Sequence, residues 1–509
     1  MTPGLLILIA VLGIALLLFL VIRLRLQAVL ALLIASYFVA ILGGVPLNEI
    51  AQTIQEGMGN TLGFIAVVVG VGTMIGEMLR VSGGAEQLAQ TLVRKFGDDK
   101  APWALGLTGL LVSIPVFFDV GLIILIPLVY GLAQRTGRSL LYYAIPLAAG
   151  LAIGHAYIPP TPGPVAVASL LGADLGWVIL FGAIAGFVAM VCGGIFFGKY
   201  ISDRIHAKVP EYMILENYAG SALVDDEDEP ADRTQYPDAS PSTEYESRTV
   251  ATQERVDPAY DDRPVEPGVP ATPDRAPKAP HPVAKEPPSF GLVLGLIAIP
   301  LVLILLNTVS GVLLEEGNPI RNFLAFIGHP FFALILAALI TFYTLGTRRG
   351  YSRREIQEIA TKSLEPVGLI ILVTGAGGVF GRTLVATGVG EALANAMTAF
   401  NMPIMLLAFL IATAVRVSQG SATVSMVTAA GLMAPIVELG NYSPPMIGLI
   451  TIAISSGATV LSHVNDSGFW LVSRYLGISE KNTLRSWTML ATILGVVGFL
   501  VVFIISFFV

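Results

Sequence analysis

Apolar runs of about 20 residues recur along this chain, the clearest at 4–22, 26–44, 61–79, 177–198, 291–314, 330–346 and 487–509. That length lets an α-helix cross the hydrocarbon core of a bilayer. Backbone in lipid must satisfy its own hydrogen bonds, so only helices or closed barrels can span. Barrel strands alternate apolar and polar residues with period two, and these runs do not. Charged residues make up only 13% of the chain, against about 25% in ordinary soluble domains, and the mean hydropathy is +0.76. The expected fold is an all-α polytopic membrane protein with about 12–14 membrane segments.

The first run lacks a basic leader, is longer than a signal peptide's apolar stretch, and is followed directly by Arg23 and Arg25. It reads as an uncleaved first helix. Cys192, the only cysteine, lies in an apolar span, which rules out disulfides and cysteine metal clusters. No cofactor or metal is expected, and no nucleic-acid partner. Much of the net charge of −7 falls in one segment, 203–289, which carries "DDEDEP" at 225–230 and a proline-rich stretch at 258–290. With so few large apolar residues it cannot bury enough surface to fold alone. It is expected to be a disordered linker between membrane halves at 1–202 and 290–509, with partner docking as the alternative.

The two halves resemble each other. Residues 63–89, "GFIAVVVGVGTMIGEMLRVSGGAEQLA", align without gaps with 368–394, "GLIILVTGAGGVFGRTLVATGVGEALA", and 11 of the 27 positions are identical. The matches include Gly70/Gly375, Gly72/Gly377, Gly76/Gly381 and Glu86/Glu391, and farther on Pro127 corresponds to Pro435 and His155 to His463. Charge then gives orientation. Residues 45–59 carry no Lys or Arg, whereas the matching stretch carries Arg348, Arg349, Arg353, Arg354 and Lys362. After the repeated helix the bias reverses, with Arg80, Arg94, Lys95 and Lys100 against Arg382 alone. Basic loops stay cytoplasmic, so the copies cross in opposite senses. Inverted repeats are an architecture of secondary transporters, whose sites lie at broken helices near the midplane.

Each half then reads as a helical hairpin, spanning or re-entrant, followed by an interrupted helix. The hairpins are 102–134, with its tip at "IPVFFDVG" (114–121), and 402–439, with its tip at "VRVSQGSAT" (415–423). The interruptions are "YIPPTPGP" (157–164) and "HVNDSG" (463–468). Unwound backbone survives at membrane depth only inside protein or beside a wet cavity. Four breaks paired across a repeat therefore point to one shared central site.

Each polar residue also has a plainer reading. Arg416 either snorkels at a helix end or holds a carboxylate bidentately, with "SQGSAT" beside it to meet a polar ligand. Asp119 either caps the following helix, pairs with Arg416, or carries a coupled proton. His155 and His463 are either packed histidines or site residues. Asp466 after Asn465 is either an N-cap or part of the cavity. Glu77 and Arg382 read as structural. No P-loop, HExxH or GxSxG motif is present. The glycine-rich "GAGGVFG" (375–381) lies inside a membrane helix, where close packing explains it.

At four motifs the chain resembles the gluconate permease (gluconate:proton symporter) family. They are "VFFDVGLIILIPLV" (116–129), "GHAYIPPTPGP" (154–164), "RVSQGSATVSMVTAAG" (416–431) and "SHVNDSGFWLVSRY" (462–475). The resemblance covers both membrane halves and departs from the family at Asp119, where several members carry Glu, and in the longer, more acidic linker. It implies an inner-membrane, proton-driven carrier of gluconate or a related sugar acid, not an enzyme. The wider ion-transporter superfamily implies elevator-type motion and homodimers.

On this reading Arg416 is expected to hold the substrate carboxylate, with Ser418, Gln419, Ser421 and Thr423 as hydroxyl partners. His155, Thr161, His463, Asn465 and Asp466 are expected to line the opposite wall. Asp119 is the first candidate for the coupling proton and Asp466 the second. A sodium-coupled carrier of another small carboxylate, a membrane enzyme using His463 and Asp466, and a passive channel are the competing readings.

Overall fold

A computed structural model describes residues 1–210, 287–389, 392 and 402–509. Most of the expected linker, and Glu391 of the repeated pair, lie outside the described residues. Every regular element among the described residues is helical. Among the described residues, ten helices are long and apolar enough to cross a membrane, and three shorter apolar ones accompany them.

The first half runs α1 (Pro3–Leu18), α2 (Ala28–Leu42), α3 (Leu47–Val81), α4 (Gly84–Phe96), α5 (Ala101–Ser113), α6 (Phe118–Thr136), α7 (Leu140–Tyr157), α8 (Pro162–Leu171) and α9 (Leu175–Met190). The second runs α10 (Phe290–Leu313), α11 (Pro319–Ile327), α12 (Pro330–Thr341), α13 (Arg353–Lys362), α14 (Glu365–Ala386), α15 (Ile404–Gln419), α16 (Ala422–Leu439), α17 (Pro444–Gly457), α18 (Ser467–Leu476) and α19 (Met489–Ile505). Both halves therefore pass through a glycine-rich helix (α3, α14), a hairpin (α5–α6, α15–α16), a broken helix (α7–α8, α17–α18) and a closing helix (α9, α19).

The repeated helices α3 and α14 pack directly on each other. A Cβ built on Gly57 would stand 2.7 Å from the Val379 Cα, and one on Gly378 would stand 2.7 Å from the Gly57 carbonyl oxygen. Farther along, Gly375 faces Met58 and Leu62, and Gly70 faces Leu364. Contacts that advance along α3 retreat along α14, so the two copies run antiparallel, as the charge flanks predict. Helix α3 is longer than the expected 61–79 span: its 35 residues reach about 52 Å. The extension carries Leu47, Ile50, Ile54 and Met58 at helical spacing with no proline, and Ile50 is buried. Periodicity carries the helix on where hydropathy alone would stop it.

In each hairpin the first arm is the shorter, 13 residues in α5 and 16 in α15. Helices α6 and α16 have membrane-spanning length. Helix α5 has 13 residues and covers only about 20 Å, short of the hydrocarbon thickness. It is pressed onto α7, where Gly150 meets the Gly106 carbonyl and Gly109 the Leu147 carbonyl without room for a Cβ. Small residues at such crossings let backbones approach closely in lipid.

Candidate functional site

Both interruptions form for local reasons. Helix α7 stops because Pro159 and Pro160 follow it, and the residue before a proline is driven out of the helical region; Ile158 is extended, with φ −116° and ψ 116°. Helix α8 restarts at Pro162, a favoured first position. In the second half, α17 ends at Gly457 and the chain unwinds through 458–466 before α18. Asp466 is the N-cap of α18, its Oδ1 accepting the Gly468 N–H at 3.2 Å. Helix α15 ends at Gly420 in the left-handed region, with φ +82°, and the Gly420 N–H returns to the Arg416 carbonyl at 2.9 Å. That is the usual way a helix closes on glycine.

The α15–α16 bend and the α17–α18 break interlock. Arg416 is only 4% exposed. Its Nη2 donates to Asp466 Oδ2 at 2.5 Å, and its Nη1 donates to the Gly420 carbonyl. Val417 offers its carbonyl to the Asn465 amide at 2.9 Å and lies 3.2 Å from the His463 Nε2. Asp466 is thus the N-cap of α18 and at the same time the ion-pair partner of Arg416. The expected alternative in which Asp119 pairs with Arg416 does not occur, because Asp466 holds that place. Nor does Asp119 cap by hydrogen bonding: Phe117 is the N-cap of α6, and Asp119 is an exposed side chain in the first turn. The positive end of the helix dipole favours an anion there.

The first-half tip reaches the same place. The Phe118 ring lies 5.1 Å from that of Trp487, just before α19, tilted 35° to it. The indole N–H of Trp487 donates to the Ser462 Oγ at 2.6 Å, and the Ser462 hydroxyl donates to Asp466 Oδ2. Phe117 meets the His155 ring edge-on at 5.9 Å. Asp119 and His155 both lie within electrostatic range of Asp466.

Several polar atoms here are buried and unpartnered: Nε of Arg416, both amide atoms of Gln419 and Nδ1 of His155. Arg416 and Gln419 are three residues apart and so share a helix face. Buried polar groups are normally satisfied, and leaving one bare costs about 1–3 kcal/mol. These atoms can take further hydrogen bonds. Other expected residues are engaged locally. The Ser418 hydroxyl donates to the Ala414 carbonyl at 2.7 Å, and Thr161 donates to Ile158 at 2.6 Å. Ser421 caps α16, while Thr423 is half-buried in that helix's first turn. Glu77 pairs with Arg80 and Arg382 with Glu56, consistent with structural roles. Sequence reasoning missed Ser462 and Trp487. Ser462 opens the very motif that singles out His463, but nothing local marks Trp487.

Paired hairpins and broken helices meeting at a buried polar cluster define a multi-pass membrane protein of transporter architecture. Comparison with known proteins places it more closely. The chain belongs to the GntP family permeases, whose family model matches residues 5–231 and 265–508; it is a permease rather than an enzyme. It is 38% identical over 501 residues to the low-affinity gluconate transporter of Escherichia coli K12, covering 98% of each chain. It is 34% identical over 489 residues to a gluconate permease of Pseudomonas aeruginosa, covering 96% of this chain and 94% of that one. Among solved structures it resembles the Alcanivorax borkumensis YdaH transporter, with a TM-score of 0.56 at 14% identity over 91% of this chain and 90% of the other. At that identity the likeness concerns the fold. The stretch between the two family-matched segments falls within the expected linker.

Proposed function

We propose that the protein is a secondary transporter that imports gluconate or a related sugar acid by proton symport. The observation that carries this reading is the buried Arg416 fork, set beside the unpartnered Gln419 amide at the meeting of two helix interruptions. A guanidinium pairs with a carboxylate through two parallel hydrogen bonds, and bare amide and imidazole groups suit the hydroxyls of an aldonate. The names of the gluconate-transporting relatives support the same substrate class.

In this reading Arg416 holds the carboxylate. Gln419, with Ser418, Ser421 and Thr423, meets the hydroxyls, and His155, Thr161, His463, Asn465 and Asp466 line the facing wall. Asp119 and Asp466 are the acids through which proton binding is linked to transport. The membrane halves 1–202 and 290–509 sit in the inner membrane, commonly as a homodimer, and their hairpins and broken helices move by an elevator-type step. The linker 203–289 lies on the cytoplasmic side with the basic loops.

The test is labelled gluconate uptake into proteoliposomes in sodium-free buffer, acidic outside. Concentrative uptake that collapses with a protonophore is expected. Uptake that needs sodium would replace the coupling ion. No accumulation of any aldonate would remove the substrate class.

A further inference from the structure

We infer that Asp466 occupies the seat of the substrate's carboxylate on Arg416, so that Asp466 and substrate exclude each other there and protonation of Asp466 frees the seat. This rests on the sugar-acid reading above. A guanidinium offers five N–H donors. Here Nη2 is taken by Asp466 and Nη1 by the Gly420 carbonyl, and Nε is buried without a partner. The resting fork is thus closed by an internal anion with one edge unused, and a second carboxylate cannot enter beside the first without severe repulsion.

Three donors converge on the Asp466 carboxylate. Its Oδ2 accepts from both Arg416 and Ser462, and its Oδ1 accepts from Gly468 N–H. The indole of Trp487 can only donate, so it takes a Ser462 lone pair and leaves the single Ser462 proton pointing at Asp466. Ser462 and Trp487 are positioning residues for this carboxylate. A protonated carboxyl carries an O–H of its own, which cannot face the guanidinium. One proton added at Oδ2 therefore breaks the pair, and the incoming carboxylate takes the Nη2 donor that Asp466 gave up together with the unused Nε. One proton and one anion enter together, and the buried charge stays balanced.

The other groups around Asp466 are accounted for. Asp119 from α6 and His155 from α7 lie within electrostatic range. His463 in the same loop is at the Val417 carbonyl. Arg474, Glu480 and Lys481 line a separate crevice beyond α18, and Arg485 is exposed.

The experiment is calorimetric titration of gluconate into the purified full-length protein from acid to alkaline pH, on the wild type, Asp466→Asn and Ser462→Ala. Wild-type affinity is expected to fall about tenfold per pH unit once Asp466 is ionised, the slope of one linked proton. Asp466→Asn is expected to bind with a flat profile. Ser462→Ala removes a donor to the charged form, so its profile should move to higher pH with the same acid limit, a shift that a merely structural role would not produce. A folded Asp466→Asn protein that keeps the wild-type slope overturns the proposal. So does one that binds nothing at any pH, since Asp466 would then be a substrate ligand. Should Asp466→Asn fail to fold, an unmoved Ser462→Ala profile overturns the proposal and a shifted one supports it. A wild type that binds no aldonate at any pH overturns the sugar-acid reading itself, and this proposal with it.

Discussion

Gly420 lies against Asn465 so closely that a Cβ on it would stand 2.1 Å from the Asn465 carbonyl oxygen. The hairpin bend and the helix break therefore touch backbone to backbone, beside the Arg416–Asp466 pair. Two elements some 50 residues apart in sequence, the separation of that pair, are registered by one missing methyl group.

Gly420→Ala meets two penalties at once. A left-handed φ costs a non-glycine residue on the order of 1–3 kcal/mol in a strained site, and the added carbon meets backbone that cannot rotate away. The expected outcome is membrane-inserted protein with uptake reduced at least about tenfold, since 1.4 kcal/mol corresponds to one decade. Uptake by proteoliposomes at matched protein amounts checks it, and wild-type rates would show that the contact does not set the site.

Arg416→Lys keeps the charge and loses the fork, so substrate affinity is expected to fall by about 2 kcal/mol or more. Arg416→Ala abolishes uptake and also strands Asp466, at a cost of about 3–5 kcal/mol to the fold. The double variant Arg416→Ala/Asp466→Ala should recover folded yield without uptake, as judged by size-exclusion profile and transport assay. Normal uptake by a folded Arg416→Ala protein would take Arg416 out of the site.

Gly57→Val puts branched carbon where the Val379 Cα already stands 2.7 Å from a bare Cβ position. Overpacking of this kind costs about 1–3 kcal/mol. A lower thermal midpoint in detergent is expected, measured alongside Gly63→Val, whose Cβ position has nothing within 4 Å. Equal midpoints for the two would contradict the close crossing.

Glu56→Gln removes the partner of Arg382 at 3.0 Å, but both side chains are well exposed, at 40% and 46%. Exposed ion pairs add little, so uptake and thermal midpoint should stay close to wild type. A large loss would mean that the pair closes the α3–α14 seam.

Much of the architecture was legible in the chain. The glycine register of 63–89 against 368–394 foretold that α3 and α14 are equivalent, and the reversed basic flanks foretold their antiparallel course. Proline placed the α7–α8 break, and "HVNDSG" placed the α17–α18 break. The pairing of Arg416 with Asp466 was not legible, because Asp119 and Asp466 are equally plausible partners until the bend and break are docked. The early start of α3 escaped a hydropathy reading, because its first turns are amphipathic. Trp487 looks like any aromatic residue at a span's edge, and its role depends on which hydroxyl lies opposite.

The α3–α14 seam is tight at one end and looser at the other. Backbone meets backbone at Gly57 and Gly378, whereas Gly70 is separated from α14 by the Leu364 side chain, 3.6 Å from its Cβ position. In a perfectly two-fold pair the contact matching Gly57–Gly378 would fall at Thr73 and Lys362, by the 305-residue offset of the aligned segments, and neither residue is small enough to make it. Sliding is blocked where the chains touch, while a leucine can change rotamer at the far end. Any relative movement of the two helices is therefore expected to turn about the glycine crossing, as the blades of a pair of shears turn about their pin, rather than to slide along it.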